Sequence, residues 1–153
     1  MNYLELKIPP VAVALSMASL MGAVARFLPV GDVPLPAPNF FALTFAAAGV
    51  VTSGLGVMAF RRARTTVNPT TPGATSSLVR TGIYSLTRNP MYLGFLLILG
   101  GWALLLCNLV VFLFPPLFIL YMNRFQIQPE ERALTEIFGA DFNGYAAHVR
   151  RWI

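Results

Sequence analysis

The chain has 153 residues, of which 56% are hydrophobic and only 11% charged, and its mean hydropathy is +0.66. That balance excludes an ordinary soluble domain, and the length suits one domain embedded in a bilayer. The net charge of +5 would suit a nucleic-acid binder, but the positions of the cations along the chain point to a lipid surface instead.

The first apolar segment, residues 8–28, is long enough to cross a hydrocarbon core of about 30 Å at 1.5 Å per residue. Pro9 and Pro10 open it, Lys7 is balanced by Glu5, and no convincing small-x-small cleavage site follows before Pro29, so it reads as helix 1 rather than a signal peptide. The second, residues 39–60, is rich in small residues. Gly49 and Ser53, four apart, predict close approach of a neighbouring helix, and Gly54-Leu55-Gly56 reads as packing rather than as room for a ligand. Residues 64–78, RTTVNPTTPGATSSL, form a polar connection.

The stretch LVRTGIYSLTRNPMYLG then tightens toward helix 3. Gly82 permits a turn, Ser85 or Thr87 can cap a short helical piece, and Pro90 suits a first helical turn, where its missing N–H has no intrahelical partner. Residues 91–106 and 109–123 are apolar and separated only by Cys107-Asn108, which predicts a tight hairpin. Cys107 has no second cysteine to pair with and reads as a structural thiol. Pro115 and Pro116 predict a kink inside helix 4. In the tail, Pro129 marks a helix start with Glu130 and Glu131 in its first turn, and Gly139 a stop. Phe142, Tyr145, Ala146, Val149 and Trp152 recur at helical spacing beside Arg150 and Arg151, the pattern of an amphipathic piece along a membrane surface.

The fold class is therefore all-α: a polytopic membrane protein with four transmembrane helices, the last two a tight hairpin, and a C-terminal interfacial helical segment. A single domain is expected over 1–153, with helices 1 and 2 in 1–63, a connection in 64–90, the hairpin in 91–127 and the tail in 128–153. If the helices alternate in direction, every Lys and Arg except Arg26 falls on one side, and the loop PVGDVPLPAPN opposite has no cation. The run RRAR after helix 2 carries this positive-inside pattern, which places both termini in the cytoplasm.

Chemistry gathers at that boundary. Arg88, Asn89 and Tyr92 begin helix 3, while Asn123, Arg124, Glu130 and Glu131 follow the return helix, and the hairpin makes the two groups neighbours. Carboxylates beside a bilayer are costly when dehydrated and idle, which favours a paired or ligand-binding role. A plain interfacial ion pair, such as Arg88 with Glu130, remains open on spacing alone. His148, the one histidine, reads as an exposed tail residue.

The order LVRTGIYSLTRNPMYLG, apolar hairpin, then PEERALTEIFGADFNGYAAHVRRW resembles the isoprenylcysteine carboxyl methyltransferase family and the wider group of small membrane methyltransferases that includes phospholipid N-methyltransferases. The likeness covers residues 78–153. It implies S-adenosyl-L-methionine held by Gly82, Tyr84, Arg88, Asn89, Pro90, Tyr92, Gly94, Glu130 and Glu131, with no metal, and an acceptor oriented by Arg151. Asn89 stands where that family usually has His. An amide keeps a donor and an acceptor but does not change charge near neutral pH.

The resulting expectation is a methyltransferase of a prokaryotic cytoplasmic membrane, taking its cofactor from the cytosol and a lipophilic acceptor from the bilayer. Carboxyl O-methylation of an isoprenylcysteine-like substrate is the nominal reaction. Phospholipid, amine or thiol acceptors, an NADPH-dependent membrane reductase and a non-catalytic membrane subunit are the alternatives.

Overall fold

The structure is a computed structural model, and it describes residues 5–29, 31, 33–63 and 77–153. The polar connection expected at 64–78 lies largely outside the described residues. All described secondary structure is helical: α1 Pro10–Phe27, α2 Pro38–Arg62, α3 Pro90–Leu106, α4 Phe114–Met122, α5 Gln128–Phe138 and α6 Ala140–His148. Short 3₁₀ segments occupy Gly82–Ser85 and Leu109–Leu113, and a π-helical turn, Asn123–Ile127, joins α4 to α5.

Three helical runs are long and apolar enough to span a bilayer: Pro10–Phe27, Pro38–Arg62 and Leu109–Phe138. The fourth, α3, has 17 residues and is correspondingly short. Leu15, Phe40, Leu43, Val50, Leu105 and Leu117 point outward, the apolar exterior that hydrocarbon requires and water would oppose.

The α2–α3 pair is the closest contact in the molecule. A Cβ built on Gly94 would stand 2.5 Å from the Gly49 carbonyl oxygen and 1.9 Å from Ser53 Oγ. A Cβ on Gly101 would stand 2.8 Å from the Ala42 carbonyl oxygen. With no hydrophobic drive between helices in lipid, such close approach supplies dispersion contacts instead. Ser53 Oγ also donates to the Met91 carbonyl at 3.2 Å. Around this pair, α1 and α4 complete a core of Val13, Met21, Leu99, Ala103, Val111, Phe118 and Met122.

At one end, the hairpin turns through Cys107, in the left-handed region at φ 48°. Asn108 accepts from the Val110 and Val111 N–H groups, and its amide donates to the Leu28 carbonyl at 2.8 Å. The residues after α1 therefore meet the hairpin tip, and the mouth of α3 and the tail gather at the opposite end.

Several expectations change. Pro115 and Pro116 stand in the first turn of α4, after a 3₁₀ segment, rather than inside a helix. Their missing N–H groups therefore leave few intrahelical bonds unmade. Pro129 does not begin a separate tail helix: α4, the π turn and α5 run on as one helical course. Gly139, at φ 52°, does end α5. Neither Ser85 nor Thr87 caps the 3₁₀ piece; Ser85 Oγ donates back to the Gly82 carbonyl, and Thr87 is used elsewhere.

Candidate active site

The tail lies across the mouth of α3. The Arg88 N–H donates to the Arg150 carbonyl at 3.0 Å. Thr87 Oγ1 and Asn89 Nδ2 both donate to the Arg151 carbonyl, at 3.1 and 3.0 Å. Trp152 Nε1 donates to Asn123 Oδ1 at 3.1 Å, and Tyr145 OH to the Tyr84 carbonyl at 2.6 Å. Phe142 is buried. The face that periodicity assigns to the membrane surface thus packs on the protein's own α3 and 3₁₀ segment, because those elements present backbone groups that need partners.

Held this way, Arg151 closes on Glu131. Its Nε donates to Glu131 Oε1 at 3.0 Å and its Nη2 to Oε2 at 2.6 Å, a forked contact that fits a planar guanidinium to a carboxylate. Arg88 Nη2 reaches the same carboxylate at 3.2 Å. The Glu131 hydrogen bond holds the Arg151 guanidinium above its ordinary pKa, against the opposing effect of its burial. Arg88 is nearly enclosed, its side chain 13% exposed, and its Nε–H has no acceptor among the described residues. The expected pair Arg88–Glu130 is absent among the described residues; Glu131 takes that place.

Glu130 projects elsewhere, since successive helical residues are rotated by about 100°. It accepts a short hydrogen bond from Tyr92 OH and has no cation partner among the described residues. Tyr84 stands close by, its ring edge-on to Phe60 at 5.2 Å between centroids. Burial, and then the proximity of Tyr145 and Glu130, push the Tyr84 phenol up, so it stays protonated. Burial likewise raises Tyr145, to about 12, against the lowering effect of Arg88. The arrangement is a carboxyl group among phenol rings, which a positively charged group would complement.

On the other face of α5 lies an open cleft of about 700 Å³, lined by Arg88, Gln128, Glu131, Arg132, Thr135, Glu136, Phe142, Asn143, Ala146 and Arg151. Sequence reading missed Gln128, Arg132 and Thr135. With Glu131, their positions at 128, 132 and 135 form one helical face, a signal that was available. Phe60 and Glu5 carry no such local signal.

The structure brings Tyr84, Arg88, Tyr92, Glu130, Glu131 and Arg151 together. Gly82 supplies the positive-φ turn, φ 64°, that leads into Tyr84. Asn89 faces the tail. Pro90 and Gly94 face α2: a Cβ on Gly56 would stand 3.2 Å from Pro90 Cγ, and Gly94 lies against Gly49 and Ser53. Arg124 turns away to Glu5, and the exposed His148 ring hydrogen-bonds with the Gly144 carbonyl at 2.8 Å.

The phospholipid methyltransferase family matches residues 38–141, from the start of α2 into α6. An uncharacterized protein of Haemophilus influenzae is 46% identical over 63 residues, 41% of this chain and all of that protein. The protein-S-isoprenylcysteine O-methyltransferase of Saccharomyces cerevisiae is 42% identical over 75 residues, 47% of this chain but 30% of the yeast protein. No solved structure matches. The chain belongs to the phospholipid methyltransferase family, with the likeness to isoprenylcysteine methyltransferases that its motifs carry.

Proposed function

We propose that this membrane methyltransferase uses S-adenosyl-L-methionine at the end of the molecule where α3 and α5 meet, and that this end faces the cytoplasm of a prokaryotic cell. The observation that carries the reading is Glu130, which has no cation partner among the described residues, beside the Arg88–Glu131–Arg151 chain at the rim of a cleft of about 700 Å³. A molecule with a sulfonium, an ammonium, a carboxylate and an aromatic base matches that mixture. The Arg88 Nε–H, which lacks an acceptor among the described residues, suits the carboxylate, and Glu130 with its tyrosines suits a cationic centre. Glu131 and Asn143 are placed to meet hydroxyl groups from the cleft side. The cofactor, when bound, supplies an electrophilic methyl group, and the protein aligns it.

The acceptor is lipophilic and arrives from the bilayer. The yeast relative's name favours a carboxylate of an isoprenylcysteine-like compound, and the family match favours a phospholipid amine; a thiol is a third possibility. Arg151 is already occupied by Glu131, so a carboxylate acceptor would have to share that guanidinium. An amine must lose a proton before attack, so its methylation rises with pH through its pKa, whereas a carboxylate shows no such rise.

Calorimetric titration of the purified protein in detergent with S-adenosylhomocysteine, with NADPH in parallel, tests the reading. Micromolar binding of the first alone, lost in Glu130→Gln, is the expected result. Binding of NADPH alone would replace it with a reductase, and binding of neither by folded protein would leave a non-catalytic membrane subunit.

A further inference from the structure

We infer that Glu5 is a positioning residue: the segment before α1 straps the π turn between α4 and α5, and so fixes which way Glu130 and Glu131 face. The inference rests on the methyltransferase reading for what those two carboxylates do, but the strap itself is a matter of geometry.

The need for a strap begins at Pro129. It has no N–H to give the preceding turn, so a carbonyl there lacks its helical donor. The chain meets this with a π turn, in which the Gln128 N–H bonds back to the Asn123 carbonyl. A π turn holds one residue more than an α turn, so everything after it is rotated by about 100° relative to an uninterrupted α-helix. The rotation matters here because Glu130 and Glu131 serve different faces. Without it, each carboxylate would point about one residue's rotation away from its present partners.

Three ties hold this turn, all from one short segment. The Leu6 N–H donates to the Phe125 carbonyl at 3.1 Å, with Leu6 itself at φ 58°, a conformation a leucine adopts only under constraint. Gln126, fully buried, donates from Nε2 to the Ile8 carbonyl at 2.6 Å. The Glu5 carboxylate, its side chain 6% exposed, accepts from Arg124 Nη1 at 2.9 Å and from Arg132 Nη2 at 2.6 Å. Arg124 lies within the π turn and Arg132 beyond it, so one carboxylate spans the irregular turn from side to side. Arg132 also lines the cleft. An ion pair at an ordinary surface would sit in water and hold little. Here the carboxylate is buried while both guanidiniums stay about half exposed, and two backbone-directed bonds flank the pair.

The test compares the full chain with Glu5→Gln, and with Glu5→Asp as the variant that keeps the charge. Hydrogen exchange of amides 125–131 is measured without ligand, with α3 amides as the internal reference, and S-adenosylhomocysteine affinity by calorimetry. Glu5→Gln is expected to speed exchange at 125–131 about ten-fold or more while α3 holds, and to weaken binding about three- to ten-fold, the scale of losing a partly enclosed pair. Glu5→Asp should recover most of both. Unchanged exchange at 125–131 in Glu5→Gln overturns the strap, and faster exchange with unchanged affinity overturns the positioning of Glu130 and Glu131 by it. Should Glu5→Gln fail to fold, Arg124→Gln removes one of the two bonds from a more exposed position. Its exchange must rise at the same amides, and no localised rise overturns the proposal. If the unaltered protein binds no S-adenosylhomocysteine, the cofactor reading falls, and the exchange data still decide the strap.

Discussion

Gly94 offers the sharpest separation of packing from ligand binding, because the same residue was expected at the cofactor and is found against α2. Replacing it with alanine adds one methyl group where the Gly49 carbonyl oxygen would be 2.5 Å away and Ser53 Oγ 1.9 Å. Ser53 can rotate at the expense of its bond to the Met91 carbonyl, but the Gly49 carbonyl is backbone, so the helices must part. Overpacking of this kind costs about 1–3 kcal/mol. Alanine in place of glycine within a helix returns about 0.5–1 kcal/mol. The net expectation for Gly94→Ala is a loss of about 1–2 kcal/mol. Gly54→Ala is the control on the partner helix: nothing lies within 4 Å of its Cβ position, so only the helical gain remains. Thermal unfolding in detergent should lower the midpoint for Gly94→Ala and leave it unchanged or higher for Gly54→Ala, with S-adenosylhomocysteine affinity of folded protein changed less than three-fold in both. Equal midpoints for the two variants would refute the close approach. Lost affinity in stable Gly94→Ala would return the residue to the ligand site.

Asn89→Asp removes the amide donor to the Arg151 carbonyl and sets a carboxylate against it, so the tail should loosen by about 1–3 kcal/mol, seen as faster tryptic cleavage after Arg150 and Arg151. Asn89→His keeps a donor and should resist cleavage much better; equal rates for the two would refute the clamp. Glu131→Gln leaves Arg88 and Arg151 without their shared carboxylate and should lower stability by about 1–3 kcal/mol, a figure between the exposed and the buried limits for ion pairs. No change in the unfolding midpoint would show that the three side chains are not coupled. The pH dependence at the alkaline end follows from Tyr145. Unfolded, its phenol ionises near 10; folded, it holds its proton to about 12. The folded state therefore binds more protons in that window, and stability present below pH 10 is lost between pH 10 and 12. Tyr145→Phe should flatten that fall, and an unchanged slope would show that the hydroxyl makes no such contribution.

Sequence alone was enough for the membrane character and the helical class, because hydrocarbon leaves the backbone no other way to satisfy its hydrogen bonds. The lengths of residues 8–28 and 39–60, the hairpin at Cys107-Asn108, the positive-φ turn at Gly82 and the stop at Gly139 are local properties that local residues announce. The motif order at residues 78–153 likewise brought Tyr84, Arg88, Tyr92, Glu130 and Glu131 onto one short roll of candidates. Their assignments to partners were another matter. Glu130 and Glu131 are adjacent in the chain, yet one meets Tyr92 and the other Arg88 and Arg151. That division is set by the rotation of α5, which depends on a π turn, which in turn is tied by residues more than a hundred positions earlier, as in the Arg124 bond to Glu5. Asn89 binds a carbonyl 62 residues away, and Gly94 meets a backbone oxygen of another helix. Contacts of this range depend on how whole helices are rotated and seated against one another. A period of 3.6 fixes the spacing along each helix but leaves that relative rotation free, so only the packed chain could decide it.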